Sequence, residues 1–154
     1  MSFTQLGMLG EVALAMLLGG LIGLEREFKD KPAGFRTLML VAGAAALLVG
    51  LGDSLLERFG GSEFVRSDPI RIVEAIITGI SFLGAGTIFR RSRDEQVEGL
   101  TTAAAILLSA AIGISVALHQ FTLAVGVTAL SLLVLYGLTF LERWLMRKRE
   151  KGTN

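Results

Sequence analysis

The chain has 154 residues, 52% of them hydrophobic, and a mean hydropathy of +0.63. Soluble domains fall well below that balance, and 19 glycines against 2 prolines suit closely packed apolar helices rather than a disordered chain. The net charge of +1 implies no nucleic-acid partner, and the absence of cysteine excludes disulfides, thiolate metal sites and cysteine nucleophiles.

Five apolar runs follow one another, at residues 6–24, 37–56, 70–89, 100–118 and 121–141. Each is about 20 residues long, the length of helix that crosses a ~30 Å hydrocarbon core. The runs are continuous rather than alternating, which excludes barrel strands. The expected fold is all-α: a polytopic membrane protein whose five transmembrane helices form one domain, residues 1–142, with a short basic cytoplasmic tail, 143–154. No basic residue precedes Arg26, so the first run reads as a retained helix rather than a cleaved signal. Its Gly19 and Gly23 form a GxxxG spacing, which packs helices either within one subunit or between subunits.

The stretch "GLEREFKDKPAGFRT" (Gly23–Thr37) joins the first two helices. Lys29, Asp30 and Lys31 need only be solvated charges that help to hold the topology. Glu25, Arg26, Glu27 and Arg36 sit at helix ends, at the membrane boundary. Arg36 falls at the start of the second helix, where the dipole disfavours a cation, so an acidic partner is expected from Glu25 or Glu27. Such an ion pair would clasp the first two helices together.

Asp68-Pro69 opens the third helix, Asp as a cap and Pro at the first helical position. Asp68, Arg71 and Glu74 share one face at spacings of three. They form either a salt-bridge ladder or, with Glu11 of the first helix, an oxygen-ligand set for a hard cation such as Mg²⁺. Further on, "SFLGAGTIF" (Ser81–Phe89) places Gly84 and Gly86 where they would break the helix. "EGLTTAA" (Glu98–Ala104) then opens the fourth helix with a partly positive end bearing the Thr101 and Thr102 hydroxyls. Plain capping and back-bonding by threonine is the alternative. His119-Gln120 is a tight link, so the last two helices should be antiparallel neighbours.

Of the 15 Lys and Arg residues, only Arg58, Arg66 and Arg71 lie on one side of this layout. The other side is therefore cytoplasmic, with the N-terminus out and the C-terminus in, and any homodimer is parallel. Trp144 among basic residues reads as an interfacial anchor. There is no HExxH, GxSxG or P-loop motif and no credible nucleophile–base pair, so enzyme chemistry is not expected.

The ordered set "GGLIGLERE", "KPAGFRT", "DPIRI", "TGISFLGAGTIF" and "VEGLTTAAAILLSAAIGI" resembles the MgtC/SapB membrane-protein family over residues 15–118. The resemblance implies a bacterial inner-membrane protein linked to low-magnesium or acid adaptation and to survival in host cells. It implies either a non-enzymatic regulator of other membrane complexes, such as the F-type ATP synthase, or a transporter or channel for Mg²⁺, another cation or protons, as an oligomer. On the family motifs, Glu25, Arg26, Glu27, Arg36, Thr37, Thr101 and Thr102 form the inner-face polar cluster. Leu38, Ala75 and Leu107 stand where the family often has His, Gln and Trp. The namesake's cytoplasmic α/β domain has no counterpart in these 154 residues, so the chain reads as a membrane domain alone.

Overall fold

The structure, a computed structural model, describes residues 3–59, 68–90 and 97–150, with side chains over 5–58, 68–88 and 97–137. Five helices carry the fold: α1 (Phe3–Phe28), α2 (Phe35–Phe59), α3 (Pro69–Gly86), α4 (Leu100–Ala117) and α5 (Phe121–Glu150). The first four are long and apolar enough to cross a membrane, and within the described residues the apolar part of α5 runs over Phe121–Gly137. The expectation of an all-α polytopic chain therefore stands.

Helix α1 runs past the apolar stretch to Phe28 because its charged end is still helical. Glu25 and Lys29 pair one turn apart, and the helix stops only where Asp30 turns left-handed at φ 51°. There Lys31 N–H donates to Arg26 O at 3.0 Å and Asp30 N–H to Glu27 O at 3.1 Å. This is a Schellman closure with Asp in the place glycine usually takes. Helix α4 ends in the same way on His119, at φ 58°, with Gln120 N–H donating to Ser115 O and His119 N–H to Val116 O, both at 2.9 Å. Left-handed non-glycine residues thus set the turns that reverse the chain, Asp30 and Ala33 between α1 and α2 and His119 between α4 and α5.

Asp68 caps α3 as expected: its Oδ1 accepts from Ile70 N–H at 3.0 Å, and Pro69 takes the first helical position. The glycines of α3 do not break it. The helix is continuous to Gly86, Gly84 sits against Ala103 of α4, and Thr87 closes the end by donating to Gly84 O at 2.7 Å. A short hairpin follows that the apolar pattern conceals, β1 (Phe89–Arg90) antiparallel to β2 (Val97–Glu98). Gly99, at φ 92°, then turns the chain into α4, where a Cβ would lie 1.9 Å from Thr87 O. Only glycine fits that corner.

Helix α4 is central and touches all four other helices, whereas α3 is peripheral. Ala15, Leu18 and Ile22 of α1, Leu38, Ala42 and Ala45 of α2, and Ala110 and Ile112 of α4 belong to one buried core. Small residues set these distances. A Cβ on Gly19 would fall 2.6 Å from Leu38 O, and one on Gly113 would fall 2.1 Å from Ala42 O. The GxxxG face of α1 therefore packs within the chain, on α2. The Trp144 anchor falls outside the residues whose side chains are described, and residues 151–154 of the basic tail fall outside the described residues altogether.

Candidate functional site

A polar cavity of about 670 Å³ opens where α1 ends, α4 begins and α5 passes. Glu25, Arg26, Thr101 and Thr102 of the expected inner-face cluster line it. Arg26 is 3% exposed and Glu25 2%. Both lie on the face of α1 that turns toward α4 and α5. Arg26 Nη2 donates to Thr102 Oγ1, a contact across 76 residues of chain, while Arg26 Nε has no hydrogen-bond partner among the described residues. The hydroxyl that Arg26 meets belongs to the first turn of α4. That turn has no side-chain cap, because its capping position is Gly99.

Glu25 is balanced by Lys29 rather than by Arg36. Lys29 is not a merely solvated charge. It donates to Leu135 O at 2.9 Å and its ammonium lies 5.1 Å from the Tyr136 ring centroid, so it straps the end of α1 to α5. Arg36 and Thr37 are exposed and lie off the cavity, and no ion pair reaches Arg36 among the described residues. The clasp between α1 and α2 is made by Glu27 instead. Its Oε2 accepts from Phe35 N–H at 2.9 Å and so caps the first turn of α2. A carboxylate at a helix N-terminus is the favourable partner there, and Arg36 is not needed.

The opposite end is organised differently. Glu11 Oε1 lies 3.0 Å from His119 Nε2, which ties α1 to the α4–α5 turn. Asp68 is committed to capping α3, and Glu74 is exposed on α3. No group of three metal-ligating side chains comes together among the described residues, so Asp68, Glu74 and Glu11 do not converge as a Mg²⁺ set. Nor does Arg71 bridge Asp68 and Glu74 in an ion-pair ladder among the described residues.

Sequence reasoning left Lys29 and Lys31 as solvated charges and missed Leu135; all three line the cavity, as do Glu98 and Gly99 of the EGLTTAA motif. The i,i+4 spacing of Glu25 and Lys29 was the available signal for the first. Nothing local marks Leu135, because it contributes a main-chain carbonyl from 106 residues away.

The fold and this cavity define a multi-pass helical membrane protein with a polar, partly buried pocket at one end of its bundle. The MgtC family model matches residues 12–144, and the chain belongs to that family. It is 37% identical over 155 residues to protein SrpB of Synechococcus elongatus, covering 95% of this chain and 84% of SrpB. It is 35% identical over 138 residues to protein SapB of Bacillus subtilis, covering 90% of this chain and 57% of SapB. It is 37% identical over 127 residues to the Escherichia coli protein named "Putative magnesium transporter YhiD", covering 79% of this chain and 56% of that protein. The chain thus spans little more than half the length of the last two. No solved structure matches it.

Proposed function

We propose that the chain is a non-enzymatic regulator in the bacterial inner membrane, serving adaptation to low magnesium or acid by acting on other membrane complexes such as the F-type ATP synthase. One observation carries the choice against a conducting pore: α2 and α4 approach so closely that a single methyl on Gly113 would overlap Ala42 O at 2.1 Å. That seam leaves no room for an ion path between α2 and α4, while the buried charges gather in a cavity at one end of the bundle. This is an arrangement for binding, with the cavity end on the cytoplasmic side by the Lys/Arg bias. The alternative is cation transport by an oligomer. It is favoured by the exposed Arg71, Glu74, Thr78 and Ser81 on peripheral α3, since polar groups on a membrane helix ordinarily face protein or water.

The two readings separate in liposomes. The regulator gives no selective flux of Mg²⁺, Na⁺, K⁺ or H⁺, and in-cell crosslinking from the cavity face recovers a larger membrane complex. Selective flux lost in Glu74→Gln or Asp68→Asn would overturn it in favour of transport.

A further inference from the structure

The polar cavity continues into the helix bundle. A second cavity, an apolar groove of about 340 Å³ between α1, α4 and α5, shares Thr101, Val134 and Leu135 with it. Ile22, Ala104, Leu108 and Val127 wall the groove deeper in the bundle. Its polar side chains are Thr101, at the shared mouth, and Ser131, whose hydroxyl is already donated to Val127 O at 2.6 Å. From Thr101 to Leu108 the groove follows about 10 Å of helix rise. That is about two thirds of the ~15 Å of hydrocarbon in one leaflet.

The charge at the mouth is unbalanced toward the positive. Among the described residues three cations, Arg26, Lys29 and Lys31, and two carboxylates, Glu25 and Glu98, line the polar cavity. To these the first turn of α4 adds main-chain N–H groups without a side-chain cap. The buried Arg26 guanidinium meets this helix at its N-terminal, positive end on the Thr102 hydroxyl, and the Glu25 carboxylate beside it is shared with Lys29. Its Nε is unpartnered among the described residues although the side chain is 3% exposed. One carboxylate shared by two cations leaves a further anion favourable at this positive helix end. Phosphate oxygens supply what both donors lack, since helix N-termini and guanidinium groups each bind them well.

We propose that the cavity and groove together hold one anionic phospholipid, its phosphate among Arg26, Lys31 and the first turn of α4, and one acyl chain in the groove beside Ala104. The assignment concerns the site of the regulator proposed above. It predicts a lipid-dependent state of that site, so that loss of anionic lipid, rather than of a soluble effector, changes what the face offers a partner.

Native mass spectrometry of the full chain in detergent, titrated with phosphatidylglycerol and with phosphatidylcholine of the same acyl chains, tests it. Phosphatidylglycerol is expected to be retained at least about tenfold better, the scale of one charge-assisted contact. Lys31→Gln, at an exposed position that leaves the fold intact, is expected to remove most of that preference, and Lys31→Arg to restore it. Ala104→Phe fills the groove and is expected to weaken both lipids. Equal retention of the two lipids overturns the proposal, as does an unchanged preference in Lys31→Gln. Displacement of phosphatidylglycerol by equimolar inorganic phosphate overturns the lipid in favour of a soluble anion, and wild-type retention in Ala104→Phe overturns the acyl-chain assignment. None of these readouts depends on ion flux or on crosslinking, so the lipid assignment and the regulator reading fail separately.

Discussion

Gly113→Ala is the sharpest test of the packing that closes the bundle around α4. The added Cβ would lie 2.1 Å from Ala42 O, 2.9 Å from Ala42 C and 3.1 Å from the Ala45 Cβ. A comfortable carbon contact is about 3.5 Å, so the substitution is short by more than 1 Å. The obstructing atoms are main chain, so no side chain can swing aside. The strain must be relieved by separating α2 from α4, and a 1 Å gap forfeits a quarter to a half of each dispersion contact along the seam. Overpacking of this kind costs about 1–3 kcal/mol, and the upper end is expected because backbone meets backbone. Gly126→Ala in α5 is the matched control. A Cβ there meets nothing within 4 Å, and replacing an interior helix glycine by alanine gains about 0.5–1 kcal/mol. Reversible unfolding of the purified chain in mixed micelles, followed by circular dichroism as denaturing detergent is added, compares the two. The same substitution should shift the midpoint in opposite directions. Wild-type stability in Gly113→Ala would refute the α2–α4 approach, and with it the case against a path along that seam.

Two further outcomes follow from the cavity end. Thr102→Val removes the hydroxyl that Arg26 meets and leaves a buried guanidinium without it; a loss of about 3 kcal/mol is expected in the same unfolding assay, with Thr102→Ser near wild type. Glu27→Ala should cost about 1 kcal/mol by uncapping α2, whereas Arg36→Ala should change stability by less than about 0.5 kcal/mol. The reverse ranking would restore the Arg36 ion pair as the clasp.

The segments that a membrane forces on a chain were readable, because about 20 apolar residues carry their own signature. So were features written within a few residues of each other: the Asp68-Pro69 start of α3, and the GxxxG face of α1 that packs on α2. Boundaries set by main-chain geometry were not. Asp30 and His119 close their helices in the left-handed region without glycine, and the hairpin pairing Phe89 with Glu98 carries no turn motif within the described residues. Within the site, residue type alone marked Glu25, Arg26, Thr101 and Thr102, but pairing them required the fold. The sequence neighbour Arg36 was the expected partner of the acidic helix end. The fold instead supplied a backbone amide from Phe35 and a lysine one turn on.

That exchange of partners explains why the cavity carries a positive surplus. Had Arg36 paired with Glu25, Lys29 would have been left to the solvent, with Arg26 and Lys31 the cations remaining in the pocket. With Lys29 taking Glu25 and anchoring on Leu135 O, the carboxylate nearest Arg26 in sequence is shared. Arg26 is then held by the Thr102 hydroxyl, at the end of α4 that repels it. Capping that end with a carboxylate would relieve the arrangement, yet Gly99 supplies no cap and its φ of 92° excludes most side chains that could. The corner that positions α4 against Thr87 therefore also keeps its first turn open. Fold geometry and site electrostatics are set by the same residue, and an anion entering from the membrane side satisfies both without any change in the chain.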